Sequence, residues 1–289
     1  MRGTFRPLSK SFAPFKVGGL QPAATGGEGA PRVYLHDVVD SVMFELDAGD
    51  AGSYPGEGAE WYSLTPAPVD GGESSDYSFG GGFGMAEINE PVFTGEYDTP
   101  GAYFATDGQK FFAISGGNTD FLDALHKSTG GTNFWMATVI RYPAGGNQGI
   151  AGTNARLTAN VGVSFRSPSA DDFIVGYTNG ASVVTADSNS AIADGTDHAI
   201  VYTYNTSTRA WKAFNNSATP VTGTLGALTV TDAPTSRLAL MSSGLAAGVP
   251  NDAAANGSRM YLYAMGNEYL TDEEGAAIIA NLMGRFGIS

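Results

Sequence analysis

Arg259-Met260-Tyr261-Leu262-Tyr263-Ala264-Met265, followed after a short spacer by Leu270-Thr271-Asp272-Glu273-Glu274 and then by Leu282-Met283-Gly284-Arg285-Phe286-Gly287-Ile288, closes the chain with two different periodicities. The first run is short, apolar and aromatic, which is strand chemistry. The second is helical. Thr271 and Glu274 have the capping-box spacing, and the acids Asp272, Glu273 and Glu274 suit the positive end of the helix dipole. Ile278, Leu282 and Phe286 then recur at i, i+4 and i+8, with Ile279 and Met283 beside them, an amphipathic stripe that stops near Arg285 and Gly287. The pattern predicts one helix, from Thr271 to about Phe286, lying on the body to which the strand belongs.

Upstream, that body reads as strands. Val42, Phe44 and Leu46 alternate with Met43, Glu45 and Asp47, and similar short runs occupy 102–105, 110–114, 134–141, 157–165, 172–177, 181–185, 198–204, 210–214, 224–230 and 237–241. Gly, Asn, Asp and Ser separate them. Many strands at this spacing predict an all-β sandwich or jelly roll over residues 31–289. Composition agrees: only 15% of the 289 residues are charged and 40 are Gly, which excludes a coiled coil and argues against a helix bundle. No run of about 18 apolar residues is present to span a membrane as a helix.

The order of these pieces resembles the concanavalin A-like lectin/glucanase superfamily in its laminin-G-like (LamG) jelly-roll form, over about residues 33–289. Phe44-Glu45-Leu46-Asp47-Ala48, then Ser53-Tyr54, Gly56, Gly58 and Trp61, is similar to the family's first strand and the loop ending in Trp. Asp197-His198-Ala199-Ile200-Val201-Tyr202-Thr203-Tyr204 with Ala210-Trp211-Lys212-Ala213-Phe214 resembles its hairpin, and the terminal strand and helix are its most specific element. The resemblance implies a β-sandwich with one C-terminal helix.

Charge divides the chain. Arg2, Arg6, Lys10 and Lys16 stand in residues 1–27 without an acid, whereas residues 31–289 hold the other eleven basic and, Glu28 apart, all twenty-eight remaining acidic residues, a net −17. An acidic body disfavours a nucleic-acid partner, because phosphate neutralisation needs a Lys/Arg face. Pro7, Pro14 and Pro22, with the pairs Gly18-Gly19 and Gly26-Gly27, break helix and ladder alike, so residues 1–30 read as an extended arm. Its Phe5, Phe12 and Phe15 among the four cations call for a partner surface, on another protein or on a copy of the same chain. The N-terminus lacks an apolar h-region before Pro7 and does not read as a secretory signal, so synthesis in a cytoplasm is expected. With no Cys there is no disulfide.

A jelly roll with an unrelated basic arm, no signal peptide, no Cys and Gly/Ala/Ser/Thr-rich strands looks like the structural proteins of tailed bacteriophages. That resemblance implies a non-enzymatic virion protein, made in the host cytoplasm and displayed on the particle surface as capsid decoration or head fibre, docked through its arm onto other virion proteins (capsid or tail) or copies of itself, with weak glycan binding. The alternatives are a tail-associated adhesin for host surface glycan and, from another class, a glycan hydrolase using Glu45 and Asp50.

The hydrolase alternative rests on Glu45-Leu46-Asp47-Ala48-Gly49-Asp50. Period two puts Glu45 and Asp47 on one strand face, and glucanases of the superfamily use two such carboxylates. Here the last position is Asp rather than Glu and Gly49 interrupts the strand, so turn chemistry at the strand exit is the preferred reading and no catalytic residue is expected. His36, His126 and His198 are far apart and suggest no metal-ligand pair. Asp187, Ser188, Asn189, Ser190, Asp194 and Asp197 carry oxygen donors; turn formation explains them, with Ca²⁺ the lesser reading, and no cofactor is expected. Gly80-Gly81-Gly82-Phe83-Gly84 lacks the Lys-Ser/Thr of a phosphate loop and reads as a loop. Trp135 and Trp211 fall in strands, where core packing is usual, leaving Tyr54, Trp61 and Tyr62 as the candidate ligand face.

Overall fold

Phe134–Arg141 is apolar at nearly every position, and in the folded chain seven of its eight residues are buried. A strand reads this way when both of its faces are covered. The computed structural model describes residues 32–55, 60–65, 84–88, 91–96, 101–108, 111–114, 127, 129–153, 161–168, 172–229, 238–246 and 249–289. Eighteen strands are found among them: β1 Val42–Asp47, β2 Glu60–Tyr62, β3 Gly84–Ile88, β4 Val92–Thr94, β5 Tyr103–Ala105, β6 Phe111–Ile114, β7 Phe134–Arg141, β8 Gln148–Gly152, β9 Val161–Ser167, β10 Ile174–Asn179, β11 Val183–Asp187, β12 Asp197–Tyr204, β13 Ala210–Asn215, β14 Val221–Thr224, β15 Ala239–Leu240, β16 Gly244–Ala246, β17 Val249–Asn251 and β18 Arg259–Gly266. One α-helix, α1, spans Asp272–Phe286.

Two antiparallel sheets form the jelly-roll sandwich expected from the sequence. One runs β14-β13-β12-β7-β18-β5-β4, with β1 beside β5 on the edge of β18 away from β7; the other runs β11-β10-β9-β8-β15-β6-β3-β2, and β16 and β17 form a separate hairpin. Phe134, Met136 and Ile140 of β7 join Ile200, Tyr202 and Tyr204 of β12 in the core between the sheets. The alternate residues Trp135, Ala137, Val139, Ala199 and Val201 form a second core on the outer face, where Ile278, Ile279 and Leu282 of α1 cover them. A register shift in β18 between Met260 and Leu262 turns Tyr261 and Leu262 together toward that outer core.

Helix α1 starts and stops where its chemistry dictates. The Glu274 amide donates to Thr271 Oγ1 at 3.2 Å, and the Thr271 amide donates back to Glu274 Oε2 at 2.8 Å. Gly287 ends the helix at φ 65°, a left-handed conformation, and the Ile288 amide donates to Met283 O at 2.9 Å. No helix among the described residues is long and apolar enough to cross a membrane.

The fold departs from expectation in several places, among them Gly84, expected in a loop and found as the first residue of β3. Of the run expected at 224–230, residues 225–229 form no strand: β14 occupies Val221–Thr224, pairing with Ala210–Ala213, while Leu225 and Leu228 tuck into the inter-sheet core. Gln148–Gly152, too rich in Gly to announce itself, is a fully buried strand inside the second sheet. A Cβ at Gly149 would come within 2.2 Å of the Ser243 amide nitrogen, so glycine is required there by close backbone approach.

Candidate functional site

The carboxylates of β1 do share a face, as period two predicts, and the face is the one covered by α1. Phe44 and Leu46 point into the inter-sheet core. Glu45 is 0% exposed. Its Oε2 accepts from the Leu35 amide at 2.9 Å and lies 3.2 Å from His36 Nδ1, while Oε1 accepts from Arg285 Nη1 at 3.3 Å. Asp47 Oδ2 is ion-paired with Arg285 Nη2, and Oδ1 accepts from the Gly49 amide at 2.8 Å. Asp50 takes the Tyr34 hydroxyl on Oδ2 and the Gly52 amide on Oδ1, each at 2.8 Å. Glu45 therefore spends its lone pairs on the protein's own donors, in a place a glycosidic oxygen cannot enter. The hydrogen bond with Glu45 raises the pKa of His36 above its ordinary value, against the opposing effect of burial.

Arg285 is the residue that sequence reasoning passed over. It lies seven positions after Ile278 and three after Leu282, on the buried stripe of α1, and an Arg on such a stripe calls for buried acids. Glu45 and Asp47 are those acids.

The aromatic ligand face expected at Tyr54, Trp61 and Tyr62 is not on the surface. Trp61 is fully buried, its ring centroid 4.9 Å from that of Phe104 and 5.2 Å from that of Phe112. Tyr54 is buried edge-on against Phe104 at 4.8 Å. The cause is local: Trp61 belongs to β2, and its ring packs into the core between the sheets. Tyr62 is half-buried, its amide donating to Ser53 O at 2.8 Å.

The oxygen-rich turns serve themselves. Asp187 Oδ1 accepts the Asn189 amide at 2.9 Å, and Asp194 Oδ1 accepts the Thr196 amide at 2.8 Å and its hydroxyl at 2.7 Å. Burial would raise the Asp194 pKa, but these Thr196 hydrogen bonds and the contact with His198 outweigh it and bring it down to about 2. His198 is buried between Asp194 at 3.1 Å and Asn215 Oδ1 at 3.0 Å. The arm residues Arg2, Phe5, Arg6, Lys10, Phe12, Phe15 and Lys16, and His126, lie outside the described residues.

A cleft of about 240 Å³ that the sequence did not announce opens on the outer face beside the last turn of α1, lined in part by Gly101, Arg141, Asp197, Arg259, Tyr261 and Phe286. Arg141 Nε donates to Asp197 Oδ1 at 2.8 Å, and Nη2 bonds Oδ2. The Arg259 guanidinium lies 4.4 Å over the Tyr103 ring, whose centroid is 5.4 Å from that of Tyr261. Burial, reinforced by Asp197, pushes the Tyr261 hydroxyl up to about 12. A fork of guanidinium donors, an aromatic wall and one carboxylate can recognise a small polar ligand.

No family model matches the sequence, and no curated protein matches it. Solved structures are similar in fold alone. The binding domain of botulinum neurotoxin DC in complex with SialylT is 10% identical with a TM-score of 0.55, over 85% of this chain and 52% of that one. Botulinum neurotoxin type C, whose cell entry depends on interaction with two ganglioside molecules, is 9% identical with a TM-score of 0.53, over 86% of this chain and 53% of that one. The chain thus spans about half the length of these toxin chains. The CBM40 of Ruminococcus gnavus IT-sialidase bound to α2,3 sialyllactose is 12% identical with a TM-score of 0.49, over 61% of this chain and 96% of that one.

Proposed function

We infer that the chain is a non-enzymatic surface module of a tailed-phage particle, a LamG-like, concanavalin A-like jelly roll that is carried by its N-terminal arm and touches glycan. The observation that carries the non-enzymatic part is the state of Glu45: fully buried, bonded to Leu35 and Arg285, and in contact with His36. An acid or nucleophile of a glycosidase must instead reach the scissile bond, with its partner carboxyl about 5 to 9.5 Å away across the substrate. Glycan contact is favoured because a structure of similar fold is the binding domain of botulinum neurotoxin DC in complex with SialylT, and another is of botulinum neurotoxin type C, whose cell entry depends on interaction with two ganglioside molecules. Placement on a virion rests on the basic, apolar arm preceding an acidic body.

A tail-associated adhesin shares every one of these features, and location separates it from capsid decoration. Cryo-EM localisation on purified particles, with a virion proteome, tests placement: absence from the particle overturns the virion reading, and density on the tail selects the adhesin. A glycan array with the full chain tests binding, and a reducing-sugar release assay on the glycans it retains tests chemistry. Release of sugar ends would overturn the non-enzymatic reading.

A further inference from the structure

The outer-face cleft beside the last turn of α1 brings together, among the described residues, two guanidinium groups and one carboxylate. Strand register places Asp197 opposite Arg141, and Arg141 opposite Arg259, so three charged side chains stand in a row across β12, β7 and β18. Like charges directly opposite one another are unfavourable. Asp197 is committed to Arg141 by two hydrogen bonds. Among the described residues no carboxylate is ion-paired with Arg259, which rests instead on the face of Tyr103. The surplus cation is notable in a body with a net charge of −17 over residues 31–289.

We propose that this cleft binds the carboxylate of a single acidic sugar residue at the end of a glycan, with Arg259 as its principal donor. Guanidinium matches carboxylate as a planar fork, and stacking on Tyr103 holds that fork in one orientation. Tyr261 and Phe286, whose ring centroids are 5.8 Å apart, supply an aromatic wall for the apolar face of a pyranose. Asp197 lies in the lining to accept a sugar hydroxyl. At about 240 Å³ the cleft falls below the roughly 300 to 1,000 Å³ of sites for drug-sized ligands, which suits one sugar unit rather than a chain. The proposal rests on the glycan-contacting reading and names the sugar class and the site.

Titration calorimetry and saturation-transfer NMR on the full chain, with 3′-sialyllactose, a glucuronate-terminated disaccharide and lactose as probes, test it. The wild-type chain is expected to bind at least one acidic probe and not lactose, more weakly as salt rises; whichever acidic probe binds distinguishes a sialic from a uronic source. R259Q should lower affinity for that probe at least tenfold, and R259K, which keeps the charge but not the fork, should lower it less. G101F is a second, uncharged block, because Gly101 lines the cleft and a Cβ there has nothing within 4 Å. Unchanged melting temperatures show that all three variants fold. Failure to bind either acid, or binding that survives R259Q and G101F, overturns the proposal. Retention of neutral glycans on an array by wild type and R259Q alike would leave the glycan reading standing and move its site elsewhere, whereas an array blank for every glycan would end that reading itself.

Discussion

Arg285, in the last turn of α1, places its Nη1 3.3 Å from Oε1 of Glu45 in β1, although 240 positions separate the two residues in the chain. The Arg285 side chain is 7% exposed and that of Glu45 is 0% exposed. One cation thus fastens the end of the chain to the first strand of the sandwich, with Asp47 on its other nitrogen. Removing one member of a buried ion cluster leaves the others charged and unpaired, which costs about 3 to 5 kcal/mol. R285M is therefore expected to lose that much stability in chemical denaturation, and the triple variant that adds E45Q and D47N should recover much of it. An R285M midpoint equal to wild type would show that the cluster contributes nothing to stability.

His36 makes the same cluster sensitive to pH. Its pKa is raised by the hydrogen bond with Glu45 and by the fields of Glu45 and Asp37, against burial, and its ring stacks on Tyr34 at a centroid distance of 5.2 Å. A raised folded-state pKa contributes stability that is fully present below about 6.5, the unfolded value, and is lost as pH rises through the folded value. The stability difference between wild type and H36Q should accordingly be larger at pH 6 than at pH 8.5. A difference that is flat, or that grows with pH, would contradict the coupling to Glu45.

The same residues show how far the sequence could be read. Helix α1 was legible to the residue because capping box, stripe and terminal Gly all point one way. The largely buried strands β7 and β12 were legible as apolar runs, and the shared face of Glu45 and Asp47 followed from the pleat. What lay across that face was not, since pairing 240 positions apart leaves no local trace. Trp61 misled for a related reason: its Gly-rich neighbourhood reads as a loop, while membership of β2 and the rings of Phe104 and Phe112 make it core. The Arg141 and Arg259 cleft was invisible because strand register, set by the whole sheet, decides which charges meet.

Two glycines of α1 make a matched comparison. A Cβ at Gly275 would lie 2.3 Å from Phe214 Cζ, whereas one at Gly284 meets nothing within 4 Å. Alanine gains about 1 kcal/mol of helix propensity over Gly at either position. At Gly284 that gain stands alone, so G284A should raise the melting temperature. At Gly275 it is opposed by overpacking worth about 1 to 3 kcal/mol against a ring that belongs to the outer core, so G275A should be neutral to destabilising. Equal stabilisation by both would mean that α1 is not seated on Phe214.

The arm tests the display reading most directly. Residues 1–30, fully extended at about 3.3 Å per residue, could reach ~100 Å, enough to cross onto a neighbouring subunit. Phe5, Phe12 and Phe15 would each contribute ~1.5 to 3 kcal/mol on burial, while Arg2, Arg6, Lys10 and Lys16 are drawn to an acidic surface. Steering charges act mainly on association and buried anchors on residence, so added salt should slow docking, and replacing the three Phe by Ala should shorten residence on the particle. Residues 33–289 form a compact unit with their own two cores, so deletion of residues 2–27 should leave the melting temperature unchanged. Occupancy on particles assembled in the presence of that deletion should fall sharply. Normal occupancy of the truncated chain would mean that docking resides in the jelly roll, and the arm would lose its assigned role.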